Sequence, residues 1–174
     1  MMRRRKTATL GILSALLFGV VAPIGCAETT EEQATHLPSK SQFPVVLDAL
    51  ERRCGTLDCH GAPGRNLRLY TGSGLRLDPK DIPGNGQTTA EEYDASYWSV
   101  FGLEPEVMSA VIGDGGADPL RLLLIQKARG MDHHRPGAII DAEDPADKCI
   151  RSWLTGKTSE AVCKEAAAFG APGN

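Results

Sequence analysis

Residues 52–64 read RRCGTLDCHGAPG, and within them Cys54, Cys59 and His60 are the side chains with the most chemistry to offer. Two thiols with an imidazole directly after the second suit three kinds of chemistry. They can oxidise to each other and close a small disulfide loop, leaving His60 a surface residue. They can add to the two vinyl groups of one porphyrin while the adjacent histidine ligates its iron. With His60 and a further histidine they can also surround zinc, although thiols outside the cytoplasm rarely stay reduced for that purpose. A haem loop usually has two residues between its cysteines; here four, Gly55, Thr56, Leu57 and Asp58, stand between them.

A second group of donors lies in GMDHHRPGAIIDAE (130–143), which carries Met131, His133 and His134 between two helical patterns. That connection is long for a helical protein, and long ordered loops are where function concentrates. On their own, two neighbouring histidines read as solvated loop residues; the cysteine loop is what gives them weight.

The N-terminus sets the compartment. Arg3, Arg4, Arg5 and Lys6 precede the apolar run LGILSALLFGVVAPIG, which ends at Cys26. This is the layout of an export signal, and the run is short of the about 20 residues that a membrane-crossing helix needs. Cys26 after Ile24 and Gly25 resembles the cysteine of a lipoprotein signal, with Pro23 where that signal usually has leucine. The expectation is a signal over 1–26, lipidation at Cys26 with anchorage at a membrane surface, and a periplasmic or cell-envelope location. Cleavage after Ala27 would instead release the chain. Residues 27–42 are polar without apolar periodicity and read as a tether, which leaves a single domain over 43–170.

The whole chain has 19 Lys+Arg against 22 Asp+Glu, a net charge of −3. Loss of the basic signal makes the remainder more acidic still, which argues against a nucleic-acid partner. Five cysteines are an odd number for an exported chain. With Cys26 assigned to lipid or signal, Cys149 and Cys163 flank a helix-turn-helix pattern and can bridge it, and Cys54 and Cys59 remain as the local pair.

The elements that must position these residues are helical. FPVVLDALERRC (43–54) sets Val45, Leu47, Leu50 and Cys54 near one stripe, so a first helix runs into the cysteine loop. Residues 55–87 are rich in Gly and Pro, with NLRLY and GLRLD as short extended pieces that could form a small hairpin. Thr88 and Glu91 stand at capping-box spacing before a second helix to Gly102. PEVMSAVIG (105–113) reads as a third, DPLRLLLIQKARG (118–130) as a fourth capped by Asp118, DPADKCIRSWLTG (144–156) as a fifth, and SEAVCKEAAAF (159–169) as the last. Trp98 and Trp153 fall on helical stripes and are expected in the core. Arg65, Arg68 and Arg76 read as a solvated face or as partners for haem propionates. No Ser-His-Asp, HExxH or phosphate-loop setting appears.

Cys54, Cys59, His60 and Gly61, preceded by a helix and followed by NLRLYTGSGLRLD, resemble the planctomycete-type cytochrome c domains and related haem-binding lipoproteins. ADPLRLLLIQKARG is similar to the later leucine-rich helix of that family, and CIRSWLTG to its closing helix. The resemblance implies a mainly α, small cytochrome c-like domain with long Gly/Pro-rich loops. It implies one haem c held covalently by Cys54 and Cys59, with His60 as axial ligand. For the distal position it favours His134, then His133, then Met131. The function implied is single-electron transfer between redox partner proteins rather than catalysis. The alternative from the residues alone is a cofactor-free, disulfide-stabilised lipoprotein module that binds an envelope component.

Overall fold

The computed structural model describes residues 35–135 and 137–169. It is mainly helical: α1 is Phe43–Cys54, α2 Ala90–Phe101, α3 Pro105–Gly113, α4 Leu123–Ala128, α5 Pro145–Leu154 and α6 Glu160–Ala167. Among the described residues there is no strand. The expected hairpin reduces to one isolated bridge between Tyr70 and Leu75. No described helix is long and apolar enough to cross a membrane.

The core gathers on α1, which packs against α5, α6 and α2. Phe43 at its start meets Trp153 of α5 and Tyr97 of α2, with ring centroids 5.2 and 5.5 Å away. All three rings are buried, with Val46, Leu47, Leu50, Ile150 and Leu154 around them. Burying side chains of this size contributes about 1.5–3 kcal/mol each, so the helix that delivers Cys54 is anchored by its N-terminal half. Val46 takes the buried position expected for Val45, because the stripe facing α5 and α6 is set by Phe43, Val46, Leu47 and Leu50.

Residues that read as the end of the tether lie against this core. Pro38 O accepts from Tyr97 Oη at 2.8 Å, Ser39 O accepts from the Trp153 indole N–H at 2.8 Å, and His36 N–H donates to Ser109 at 2.8 Å. A buried Tyr or Trp needs a partner for its polar end, and the backbone of 38–39 supplies both.

Several boundaries differ from the sequence pattern for identifiable reasons. The capping box of α2 is one residue later than Thr88/Glu91: Thr89 accepts from Glu92 N–H, and Glu92 accepts from Thr89 N–H. Thr88 Oγ1 instead accepts from Gly72 N–H at 3.0 Å. Asp118 does not cap the fourth helix, because its φ of 47° places it in the left-handed region. A short 3-10 turn, Pro119–Arg121, follows, and α4 starts only at Leu123, whose N–H is taken by Glu104 at 2.6 Å. Trp98 is 45 % exposed, contrary to its expected place in the core. Its neighbour Tyr97 takes the inward position, since adjacent helical residues point about 100° apart.

Cys149 and Cys163 form the expected disulfide, tying α5 to α6 with Cα atoms 4.8 Å apart. Closing a loop of this length is worth about 3 kcal/mol. Cys149→Ser with Cys163→Ser is therefore expected to lower unfolding free energy by about that amount in urea titration.

Candidate functional site

The cysteine loop is a closed turn grown from the end of α1. Gly55 N–H returns to Glu51 O at 2.8 Å, Cys59 and Gly61 N–H both donate to Thr56 O at 2.9 and 3.0 Å, and His60 N–H donates to Cys54 O at 2.8 Å. The four residues between the cysteines are thus absorbed by one turn, and the His60 backbone is tied to the backbone of the first cysteine. Three glycines make this possible. A Cβ on Gly61 or on Gly74 would collide with the Gly55 carbonyl oxygen, so the loop and the GLRLD segment touch backbone to backbone. Thr71 Oγ1 donates to the same carbonyl at 3.2 Å.

The GLRLD segment is held in turn by Arg76. Its guanidinium meets both oxygens of Glu92 at 2.8 and 3.1 Å, and donates to Asn85 O and Gln87 O at 2.6 and 3.0 Å. Arg76 is therefore a buried latch behind the loop, and the three arginines do not form one face. Arg65 lies over the loop and donates to Cys59 O and Asp58 O, both at 3.2 Å, while Arg68 is exposed.

The structure brings His134 to His60. Their ring centroids are 6.0 Å apart and the ring planes lie 6° from parallel. Two imidazoles that share one metal through nitrogens at about 2 Å can have their centres about 6 Å apart. Each ring is oriented the same way. His60 Nδ1 faces Leu67 O at 3.1 Å and His134 Nδ1 faces Gly137 O at 2.9 Å. A carbonyl only accepts, so each Nδ1 carries the proton, and in the neutral form of either ring Nε2 has a free lone pair. A second hydrogen bond of this kind is what fixes tautomer and orientation in metal-ligating histidines. Burial pushes the His60 pKa down; the Leu67 carbonyl opposes this, and the nearby His134 and Arg65 add to it. The ring is thereby kept neutral, as a ligand must be.

Met131 is 60 % exposed and His133 also faces solvent, so neither is the donor brought opposite His60. Cys54 and Cys59 are half-buried separate thiols, unlike the bonded Cys149–Cys163 pair. The Cys54 thiol is pushed up to about 12 by burial and by Cys59, against the opposing charge of Arg53. Among the described residues no three His, Cys, Asp or Glu side chains gather as a metal cluster, so the zinc arrangement of Cys54, Cys59, His60 and a loop histidine is not assembled. Cys26 and the signal lie outside the described residues.

Arg53 is the residue that sequence reasoning passed over. It precedes Cys54, and its Nη1 donates to Ile139 O at 3.2 Å and to Asp144 at 2.8 Å, joining the end of α1 to the segment that follows the histidine loop. Phe169 covers its guanidinium at 3.9 Å. Its Nε is buried and has no hydrogen-bond partner among the described residues. An orphaned buried donor of this kind is rare and calls for an acceptor. Position next to the first cysteine was the available signal. Two surface depressions of about 330 and 350 Å³ lie elsewhere, and neither is lined by a histidine or cysteine.

Comparison of the chain with protein-family models, curated proteins and solved structures finds no match.

Proposed function

We propose that this chain is an extracytoplasmic c-type haem protein that passes single electrons between redox partner proteins, held at a membrane surface through lipidated Cys26. The observation that carries the reading is the pair His60 and His134: parallel rings 6.0 Å apart, each with Nδ1 tied to a carbonyl and Nε2 left for a metal. Among the described residues no third His, Cys, Asp or Glu joins this pair, so a metal held here would draw its remaining ligands from a cofactor, as a porphyrin would provide. The residues present fit that group. Cys54 and Cys59 would hold it, and each S–H adds across a vinyl group, sulfur to one carbon and hydrogen to the other, with no oxidant consumed. A disulfide would instead need an acceptor for two electrons and two protons. The unpaired Arg53 Nε offers a donor to a propionate carboxylate.

Haem, when bound, supplies a one-electron iron couple. The chain's part would be to hold the His60 and His134 imidazoles fixed in direction through the Leu67 and Gly137 carbonyls, so that little has to move when charge changes. A bis-histidine pair sets a lower potential than histidine with methionine, because thioether ligation favours the reduced state. One electron would arrive from a reduced donor protein and leave to an oxidised acceptor protein, with no bond made or broken in the chain. The cofactor-free module needs Cys54 and Cys59 joined, and their standing as separate thiols gives it no support.

The test is mass mapping of the chain matured in a host that attaches haem. The peptide containing Cys54 and Cys59 is expected to carry the mass of one haem and a haemochrome spectrum. A colourless chain whose peptide is lighter by two hydrogens overturns the proposal. His134→Ala is expected to keep the covalent pigment and turn the iron from low to high spin, read by electron paramagnetic resonance.

A further inference from the structure

We infer that Lys127 is the positioning residue that decides which donor of the 130–139 loop faces His60. The inference rests on the haem reading. The sequence offers Met131, His133 and His134 within four positions, and a loop that could slide by a residue or two would present any of them. The base of the loop is stapled: Ile139 and Ile140 N–H both donate to Ala128 O, at 2.9 and 3.0 Å. Gly130, at φ 67°, lets the two ends close against Ala138. These contacts fix where the loop begins and ends, but not which side chain turns inward.

That choice is made inside the loop. Lys127 Nζ donates to Asp132 Oδ2 at 2.7 Å and to His133 O at 3.0 Å, while Asp132 Oδ1 accepts from His133 N–H at 2.7 Å. The ammonium therefore holds the carbonyl of the peptide that leads into His134, and this fixes the direction of the next Cα–Cβ bond. His134 Nδ1 then finds Gly137 O, and the ring faces His60. In the same arrangement Met131 and His133 are left in solvent. The side chains of Lys127 and Asp132 are each 37 % exposed. A pair so exposed contributes little to stability, so Lys127 acts through geometry rather than through folding energy. One ammonium serves both acceptors here because it has three donors on a flexible stem.

Lys127→Met keeps the stem and removes every donor. In the matured protein it is expected to retain covalent pigment and its thermal stability while losing the uniform low-spin bis-histidine signal. The reduced form should bind carbon monoxide roughly tenfold more tightly, since His134 occupies the sixth position for a smaller fraction of the time. Where Met131 takes that position, the potential rises, and Met131→Leu on the Lys127→Met background reverses the rise. A Lys127→Met protein with parental spin state, potential and carbon monoxide affinity overturns the inference and leaves the haem reading standing. Absence of pigment from the parent sinks the haem reading itself. If Lys127→Met does not accumulate, Asp132→Asn removes half of the clamp; it should show the same changes in smaller measure, and parental behaviour in it overturns the inference equally.

Discussion

Cys54→Ala with Cys59→Ala is expected, on the proposed haem reading, to abolish covalently held pigment on a denaturing gel, and to change the stability of the cofactor-free chain by no more than about 1 kcal/mol. The two effects come apart because the thiols lie beside the core, not in it. The buried side chains nearest in sequence are Leu47, Ala49 and Leu50, one to two turns earlier, and the Cys149–Cys163 bridge is independent of the loop. The loop holds its shape through backbone bonds, with His60 N–H on Cys54 O and Gly61 N–H on Thr56 O, and none of these uses a sulfur. If the two sulfurs were joined instead, deleting them would cost about 2 kcal/mol for a loop of this size and there would be no pigment to lose. Urea titration together with haem staining thus separates the readings in one pair of measurements.

Glu92→Ala is expected to destabilise the fold by about 3–5 kcal/mol, the usual result of leaving a buried charge without its partner. Glu92 and Arg76 are both buried, and the carboxylate is fully used: Oε1 accepts from Arg76 Nε and Leu77 N–H at 2.8 and 3.0 Å, Oε2 from Arg76 Nη2 and Thr89 N–H at 3.1 and 2.9 Å. Replacing both residues, Arg76→Met with Glu92→Met, should recover part of the loss but not all, because Leu77 and Thr89 N–H would still lack their acceptor. Burial raises the Glu92 pKa, but the bonds from Arg76, Thr89 and Leu77 outweigh it and the net shift is downward. A carboxyl whose folded pKa is depressed adds stability that is complete above the unfolded pKa of about 4.3 and is lost as pH falls through the folded value. Acid unfolding of the parent below about pH 4 should therefore be shallower in Glu92→Gln, which is already weakened at pH 7. Because Gly74 lies two residues before Arg76 and touches the Gly55 backbone, loosening this latch should, on the proposed haem reading, also lower the yield of covalent pigment.

Most helices were legible because their signals are local. The extent of the 43–54 helix, Pro105 at the start of α3, Asp144 as the cap of α5 and Gly156 after its end all act within one or two turns, and the structure agrees with each, although the buried face of the first helix takes Val46 in place of Val45. The failures have tertiary causes. Glu92 rather than Glu91 completes the capping box because Arg76, sixteen residues earlier, holds it there. Asp118 cannot cap because its backbone is left-handed, a condition that the residue type permits but does not announce. Trp98 is outward because Phe43 and Trp153 approach α2 from the side of Tyr97.

By itself the sequence determined that two thiols and an imidazole would share one turn after a helix, that Cys149 and Cys163 would sit across a helical hairpin, and that three donors would occupy one later loop. Each follows from spacing along a single segment. Tertiary structure alone decided that His134, and not His133 or Met131, lies beside His60, that Arg53 joins the end of α1 to Ile139 and Asp144 while its buried Nε has no partner among the described residues, and that Arg76 is a latch rather than a surface charge. The reason is physical: ring direction, orphaned donors and buried ion pairs depend on which backbone carbonyls and carboxylates arrive from distant parts of the chain, and no local pattern encodes that arrival.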